Sequence, residues 1–132
     1  MSARRFLDTN VVAYVLANDP RKKAIAEDLL LDRPWISVQV VNELVSVAIR
    51  KLRYSREASV AAASMIIRQC NVVPMDLADV QEAFRIGQRY GFAHWDALIL
   101  AVARRHGCEC LYSENLQHGQ QIAEDLKIVN PF

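Results

Sequence analysis

The chain has 132 residues, of which 52% are apolar and 23% charged, with a formal net charge of +1. That length suits a single domain over 1–132, and that composition suits a packed core and excludes a disordered tail. Near-neutrality excludes a chain that binds polyanions by bulk charge, and no apolar run nears the roughly 18 residues needed to cross a bilayer.

The start, Met1-Ser2-Ala3-Arg4-Arg5, lacks the apolar stretch and small-residue cleavage site of a secretory signal, so a cytoplasmic protein is expected. A first short strand is predicted over 4–8, carried by Arg5-Phe6-Leu7 and closing on Asp8. A short helix over 10–17 follows, and then a second over 20–31, with Asp19 as N-cap and Pro20 in the first turn. Trp35-Ile36-Ser37-Val38 reads as the second strand. From 39 to 52, Val40, Val41, Leu44, Val45, Val47, Ala48 and Ile49 recur at helical spacing. An alanine-rich helix is expected from about Ser55 to Gln69, and a third strand over 71–74. Asp76 caps a helix over 77–90 that Gly91 ends. Another helix runs over 95–106 to Gly107, with its most apolar part, Ala97 to Ala103, expected to be buried. The fourth strand is 110–112, and 127–129 is a candidate fifth. Alternation of this kind predicts an α/β fold: a three-layer sandwich whose central parallel sheet of four to five strands is flanked by helices.

Three cysteines, Cys70, Cys108 and Cys110, do not make a disulfide framework, and Cys108-x-Cys110 has no second pair to complete a zinc site, so buried thiols are expected. The small residues over 58–63 suit either close helix packing within one chain or a dimer face. Arg21-Lys22-Lys23, Arg50-Lys51-x-Arg53 and Arg104-Arg105-His106 each read first as solvated helix faces.

Asp8, Glu43 and Asp96 carry the chemistry. Each has an ordinary reading: Asp8 as an N-cap, Glu43 on a wet stripe beside Asn42, Asp96 as a first-turn acid favoured by the helix dipole. As a set they are less ordinary. Asp8 and Asp96 are predicted at the carboxyl-end rim of the sheet, where open α/β folds bind ligands. Glu43 follows the second strand by about a turn and a half of helix and points back to that rim. Carboxylates crowded together repel and raise one another's pKa, and a cation relieves that. Oxygen ligands without thiolates or an imidazole cluster favour Mg2+ or Mn2+. Such an ion keeps several waters, one of which can attack a phosphodiester.

Asp8-Thr9-Asn10, Asn42-Glu43, Trp95-Asp96-Ala97 and the run from Leu111 to Gly119 after the fourth strand together resemble a PIN domain, and more narrowly the VapC-like ribonuclease toxins of toxin–antitoxin pairs. The likeness extends from Arg5 to Val129. It implies a Mg2+- or Mn2+-dependent endoribonuclease with Asp8, Glu43 and Asp96 as metal ligands, supported by Thr9 and Asn10. Family members usually carry a further aspartate in a Ser/Thr-x-Asp pattern; here Ser113 matches, but Asn115 stands at the acid position, with Glu114 between. Asn115 would help place the attacking water, and a second metal ion is put in doubt. The resemblance also implies an RNA substrate, a small antitoxin whose C-terminal segment enters the acidic groove, and a homodimer. Arg50, Lys51 and Arg104 are candidates to hold the RNA backbone. His118 is a candidate general acid, though a plain loop role beside Gly119 outweighs it; His94, two residues before Asp96, is a candidate to line the pocket, and His106 suits a helix C-terminus. A noncatalytic PIN-like module that binds RNA or protein is the alternative, because Asn115 replaces the usual acid. A receiver-like phosphoacceptor domain lacks its early acid pair here.

Overall fold

The computed structural model describes residues 3–132. Met1 and Ser2, part of the segment read for a secretory signal, lie outside them. Strand β1 (Arg5–Leu7) leads through α1 (Thr9–Ala13), a 3-10 turn (Tyr14–Leu16) and α2 (Pro20–Leu30) to β2 (Trp35–Ser37). Helices α3 (Val38–Arg50) and α4 (Arg56–Gln69) connect to β3 (Asn71–Val73), and α5 (Leu77–Tyr90) and α6 (His94–Arg105) to β4 (Cys110–Tyr112). Two further strands, β5 (Gln121–Ile122) and β6 (Leu126–Val129), close the chain.

Local chemistry sets most boundaries. Asp19, Ser37 and Ser55 each accept a backbone N–H two or three residues into their helix, and Asp76 and Asp79 form a reciprocal capping box on α5. Gly91, at φ 78°, ends α5 in the left-handed conformation that a side chain disfavours. The single helix expected over 10–17 divides into α1 and a tighter turn. Pro20 excludes the helical conformation from Asp19, whose ψ is 95°, so the first helix cannot run on into α2.

The sheet has six strands in the order β3-β2-β1-β4-β6-β5. Every pairing is parallel except β5 with β6, which is antiparallel. Four to five strands were expected; the addition is β5, whose two residues are too few to show alternation. Phe6, Ile36, Leu111 and Ile128 on the four inner strands are fully buried. Burial of a side chain of that size stabilises by roughly 1.5–3 kcal/mol. Ala97 through Ala103 are all buried, so α6 is enclosed on every side, packed on α5 and β2. In α4, Ser59, Ala62, Ala63 and Ile66 turn inward, while Val60, Met65 and Ile67 face solvent.

Cys70 and Cys108 are buried free thiols and Cys110 is half-buried. Burial pushes the Cys70 thiol up to about 11 and that of Cys108 to about 12, so both stay protonated. Among the described residues no helix is long and apolar enough to cross a membrane.

Candidate active site

Strand order reverses between β1 and β4: β2 and β3 lie to one side, β6 and β5 to the other. A reversal of this kind opens a crevice at the carboxyl ends of the strands. Leu7 pairs with Tyr112 in the last register position, so Asp8 and Ser113 emerge side by side. The Asp8 backbone N–H donates to the Tyr112 carbonyl at 3.0 Å.

Asp8 itself caps α1, a role for which Thr9 and Asn10 were also eligible. Its carboxylate accepts from the Thr9 backbone N–H at 2.7 Å, from Asn10 Nδ2 at 3.0 Å and from the buried Ser113 hydroxyl at 2.9 Å. With the cap supplied by Asp8, the Thr9 hydroxyl is left to donate to Glu43 Oε2 at 2.8 Å. Asn10 ties the two strand ends together, because its Oδ1 accepts the Glu114 backbone N–H at 2.9 Å. Glu43 lies on α3, six residues beyond the Ser37 cap, and its other oxygen accepts from Gln39 at 3.1 Å. Asp96 is half-buried in the first turn of α6 and makes no hydrogen bond or ion pair within the described residues.

The electrostatics link these acids. Burial raises the Asp8 carboxyl above its ordinary value; the Ser113 and Thr9 hydrogen bonds oppose this, and the charges of Asp96 and Glu43 push it further up. Asp96 is likewise raised, by burial and then by Glu43. Among the described residues no Lys, Arg or His pairs with any of the three. Three carboxylates thus share a crevice with no protein cation to balance them, an all-oxygen donor set suited to a hard divalent ion. They do not stand as a closed ligand cage: among the described residues no three His, Cys, Asp or Glu side chains are grouped tightly enough to hold a metal ion. Uncompensated like charges repel, and Asp8 and Glu43 turn their oxygens to neighbouring donors instead.

The remaining candidates divide. Asn115 is exposed at the rim, its backbone N–H donating to Ser113 Oγ at 3.3 Å. The Glu114 carboxylate faces away from the acids, paired with Lys22 at 2.5 Å, and Lys22 also reaches the Tyr14 hydroxyl at 3.2 Å. Lys22 holds the Glu114 carboxyl below its ordinary value. Arg104 does not belong to this rim. It lies at the far end of α6 from Asp96, engaged by Glu82 at 3.1 Å and Asp125 at 2.9 Å, so it is not free to hold an RNA backbone. Arg50 ends α3 and Lys51 follows it, exposed and beyond Glu43. His118 Nδ1 accepts the Asn130 backbone N–H at 3.0 Å, which fixes it to the C-terminal segment. His106 caps α6 and stacks on Trp35 with its Nε2 buried and unpartnered. His94 is exposed, two residues before Asp96 at the start of α6. Gln39 and Lys22 were missed. Gln39 was accessible from its i,i+4 spacing to Glu43; nothing local in the Arg21-Lys22-Lys23 run separates Lys22 from its neighbours.

Comparison with known families matches residues 5–120 to the PIN domain. The chain belongs to the PIN domain family. Solved structures agree on this PIN fold. A toxin–antitoxin complex from Klebsiella pneumoniae aligns with a TM-score of 0.71 at 22% identity, over 99% of this chain and 98% of that one. DNA-bound VapBC from Salmonella typhimurium gives 0.74 at 22% identity, over 99% and 100%. VapC20 of Mycobacterium tuberculosis, a toxin that cleaves the sarcin-ricin loop, gives 0.66 at 23% identity, over 81% and 86%. No curated protein matches the chain.

Proposed function

We propose that this PIN domain is a Mg2+- or Mn2+-dependent endoribonuclease and the toxin of a toxin–antitoxin pair. One observation carries the reading: Asp8, Glu43 and Asp96, from three separate elements, face one switch-point crevice in which, among the described residues, no Lys, Arg or His pairs with them, and the Glu43 charge helps to raise both Asp8 and Asp96. These three residues would hold the ion. When bound, it supplies the Lewis acidity that polarises a phosphodiester and acidifies water.

The chain's own residues do the positioning. Ser113 and Asn10 orient one Asp8 oxygen, and the Thr9 backbone N–H fixes the other. Thr9 and Gln39 hold the two Glu43 oxygens from opposite neighbours. Asn10, through the Glu114 N–H, anchors the loop that carries Asn115 at the rim. The Asn115 amide can hydrogen-bond water or a phosphate oxygen without adding charge. An acidic crevice repels a polyanion, so RNA approaches productively only once the carboxylates are neutralised.

Purified protein incubated with unstructured RNA tests this. Cleavage in Mg2+ or Mn2+ that stops in EDTA and leaves 5′-phosphate ends is the expected result. Equal cleavage in EDTA, or 2′,3′-cyclic phosphate ends, refutes it. Mn2+ binding measured by titration calorimetry, present in the wild type and lost in Asp8→Asn, reads the site independently of activity. One observation favours a second reading, an RNA- or protein-binding module without activity: an exposed amide, Asn115, stands where a fourth acid is usual. In that case RNA is bound and left intact in every metal.

The proposal includes a small antitoxin and a homodimer. The Klebsiella and Salmonella neighbours were solved as toxin–antitoxin complexes, and Val60 and Ile67, seven residues apart, give one flank of α4 an exposed apolar strip. Co-expression with a small protein encoded beside this gene should yield a stable, inactive complex, and light scattering of the free chain should give twice the mass of 15.0 kDa.

A further inference from the structure

The three acids leave one feature of the rim unused. Trp95 is 60% exposed and Phe84 55% exposed, against the usual burial of large aromatic side chains. They are not scattered. The His94 ring lies between them, its centroid 5.7 Å from that of Phe84 and 5.7 Å from that of Trp95. The trio joins the middle of α5 to the first turn of α6, and Asp96 is the next residue along α6. The polar groups around it suit a nucleic acid. Gln88, one helical turn beyond Phe84, is exposed. Arg89 is exposed at the same end of α5 and pairs with no carboxylate among the described residues.

We propose that Phe84, His94 and Trp95 form a stacking platform for an unpaired base of single-stranded RNA next to the phosphodiester held at the acidic crevice. This rests on the ribonuclease reading above and names its substrate class. The physical argument has three parts. His94, Trp95 and Asp96 share the first turn of α6, about 5 Å of helix, so the rings stand within one nucleotide of the acid. Base stacking needs open π-faces, which a duplex does not offer a protein and a splayed single strand does. Arg89 supplies, on the same rim, the positive charge that the crevice lacks for the RNA backbone. A second copy of the chain is the competing occupant; besides these rings α5 exposes one large aliphatic side chain among the described residues, Leu77, whereas α4 exposes Val60, Met65 and Ile67.

The test uses the full chain and a short, unstructured, adenine-rich oligoribonucleotide, with Ca2+ replacing Mg2+ to hold back cleavage. Trp35 is half-buried, with the Arg4 guanidinium 4.7 Å from its ring and His106 stacked on it, so the part of the RNA quenching that is lost in Trp95→Phe reports Trp95. The expected result is quenching by the single strand and not by its duplex, absent in Trp95→Phe although that variant still binds labelled RNA. Trp95→Ala should raise KM for the single strand roughly five- to a hundredfold, the range of one lost base stack, with kcat little changed and Trp95→Phe close to wild type. Wild-type KM in Trp95→Ala, or equal loss in Trp95→Phe, overturns the platform while wild-type cleavage in Mg2+ leaves the ribonuclease reading intact. A change in oligomeric mass in Trp95→Ala with RNA binding unaltered also overturns it, and assigns the patch to a protein interface. A wild-type chain that neither binds nor cuts RNA overturns both.

Discussion

Asp96→Asn should make the metal-free protein more stable while abolishing its response to divalent cations. Two effects oppose each other at this residue. Its charge sits in the first turn of α6, where the helix dipole favours it by about 0.3–1 kcal/mol. It also feels the like charge of Glu43, and like charges within one site cost on the order of 1–3 kcal/mol at an effective dielectric of 20. Burial and the Glu43 charge raise the Asp96 carboxyl, so the repulsion is expected to exceed the dipole's contribution. Removing the charge should therefore gain about 1 kcal/mol at neutral pH after screening, a rise in Tm of roughly 3–5 °C for a domain of this size. The pH dependence has a definite sign. Asp8 and Asp96 are both raised above 3.8 in the folded state. In the window above that value the folded protein binds more protons than the unfolded one, so metal-free stability falls as pH rises. Asp96→Asn should flatten that fall. In the wild type, Mn2+ at a hundredfold over its Kd should restore about 2.7 kcal/mol at neutral pH, or roughly 8–13 °C, and much less near pH 4. Differential scanning fluorimetry across pH, with and without Mn2+, measures all of this. A variant no more stable than wild type in EDTA, with the same pH slope and an undiminished Mn2+ shift, would refute the argument that these carboxylates repel across one site.

Ser113→Ala removes a buried donor to the Asp8 carboxylate and should cost about 1–3 kcal/mol in urea unfolding at neutral pH, with the loss shrinking at low pH where Asp8 is protonated; a loss independent of pH would point to packing alone. Arg105→Ala strips the guanidinium from Asp79, which is 1% exposed and accepts from Arg105 at 2.7 and 2.9 Å. Because Arg105 itself is partly exposed, the expected cost is about 2–3 kcal/mol, below that of a fully buried pair, with Mn2+ binding unchanged since this pair lies at the far end of α6 from Asp96. Asn115→Asp adds a fourth carboxylate to the rim: Mn2+ affinity and RNA cleavage should both rise and metal-free Tm should drop slightly, whereas no change in any of the three would remove position 115 from the site.

Much of this molecule is legible in one dimension because its signals are local. Caps at Asp19, Ser37, Ser55 and Asp76, the left-handed stop at Gly91 and the apolar periodicity of α3 act over one or two turns, and the element boundaries follow them closely. Asp8 and Asp96 were recognisable as acids at the entry to helices and Glu43 as an acid inside a strongly apolar one, where burying charge needs a reason. What no local signal carries is the partner choice of each side chain. The two-residue strand β5 exists only because β6 is there to pair with it. Arg104 and Lys22 looked alike as members of basic runs, yet chain packing sends one to Glu82 and Asp125 and the other to Glu114 and Tyr14. Likewise, only the packing of α5 on α6 brings Phe84 to His94 and Trp95 beside Asp96. Sequence by itself determined which residues carry charge, caps and apolar faces, since those are properties of a residue and its near neighbours. Tertiary structure alone decided which charges are balanced and which are left to repel, because Coulomb and hydrogen-bond energies depend on distances in space that the order of the chain does not contain.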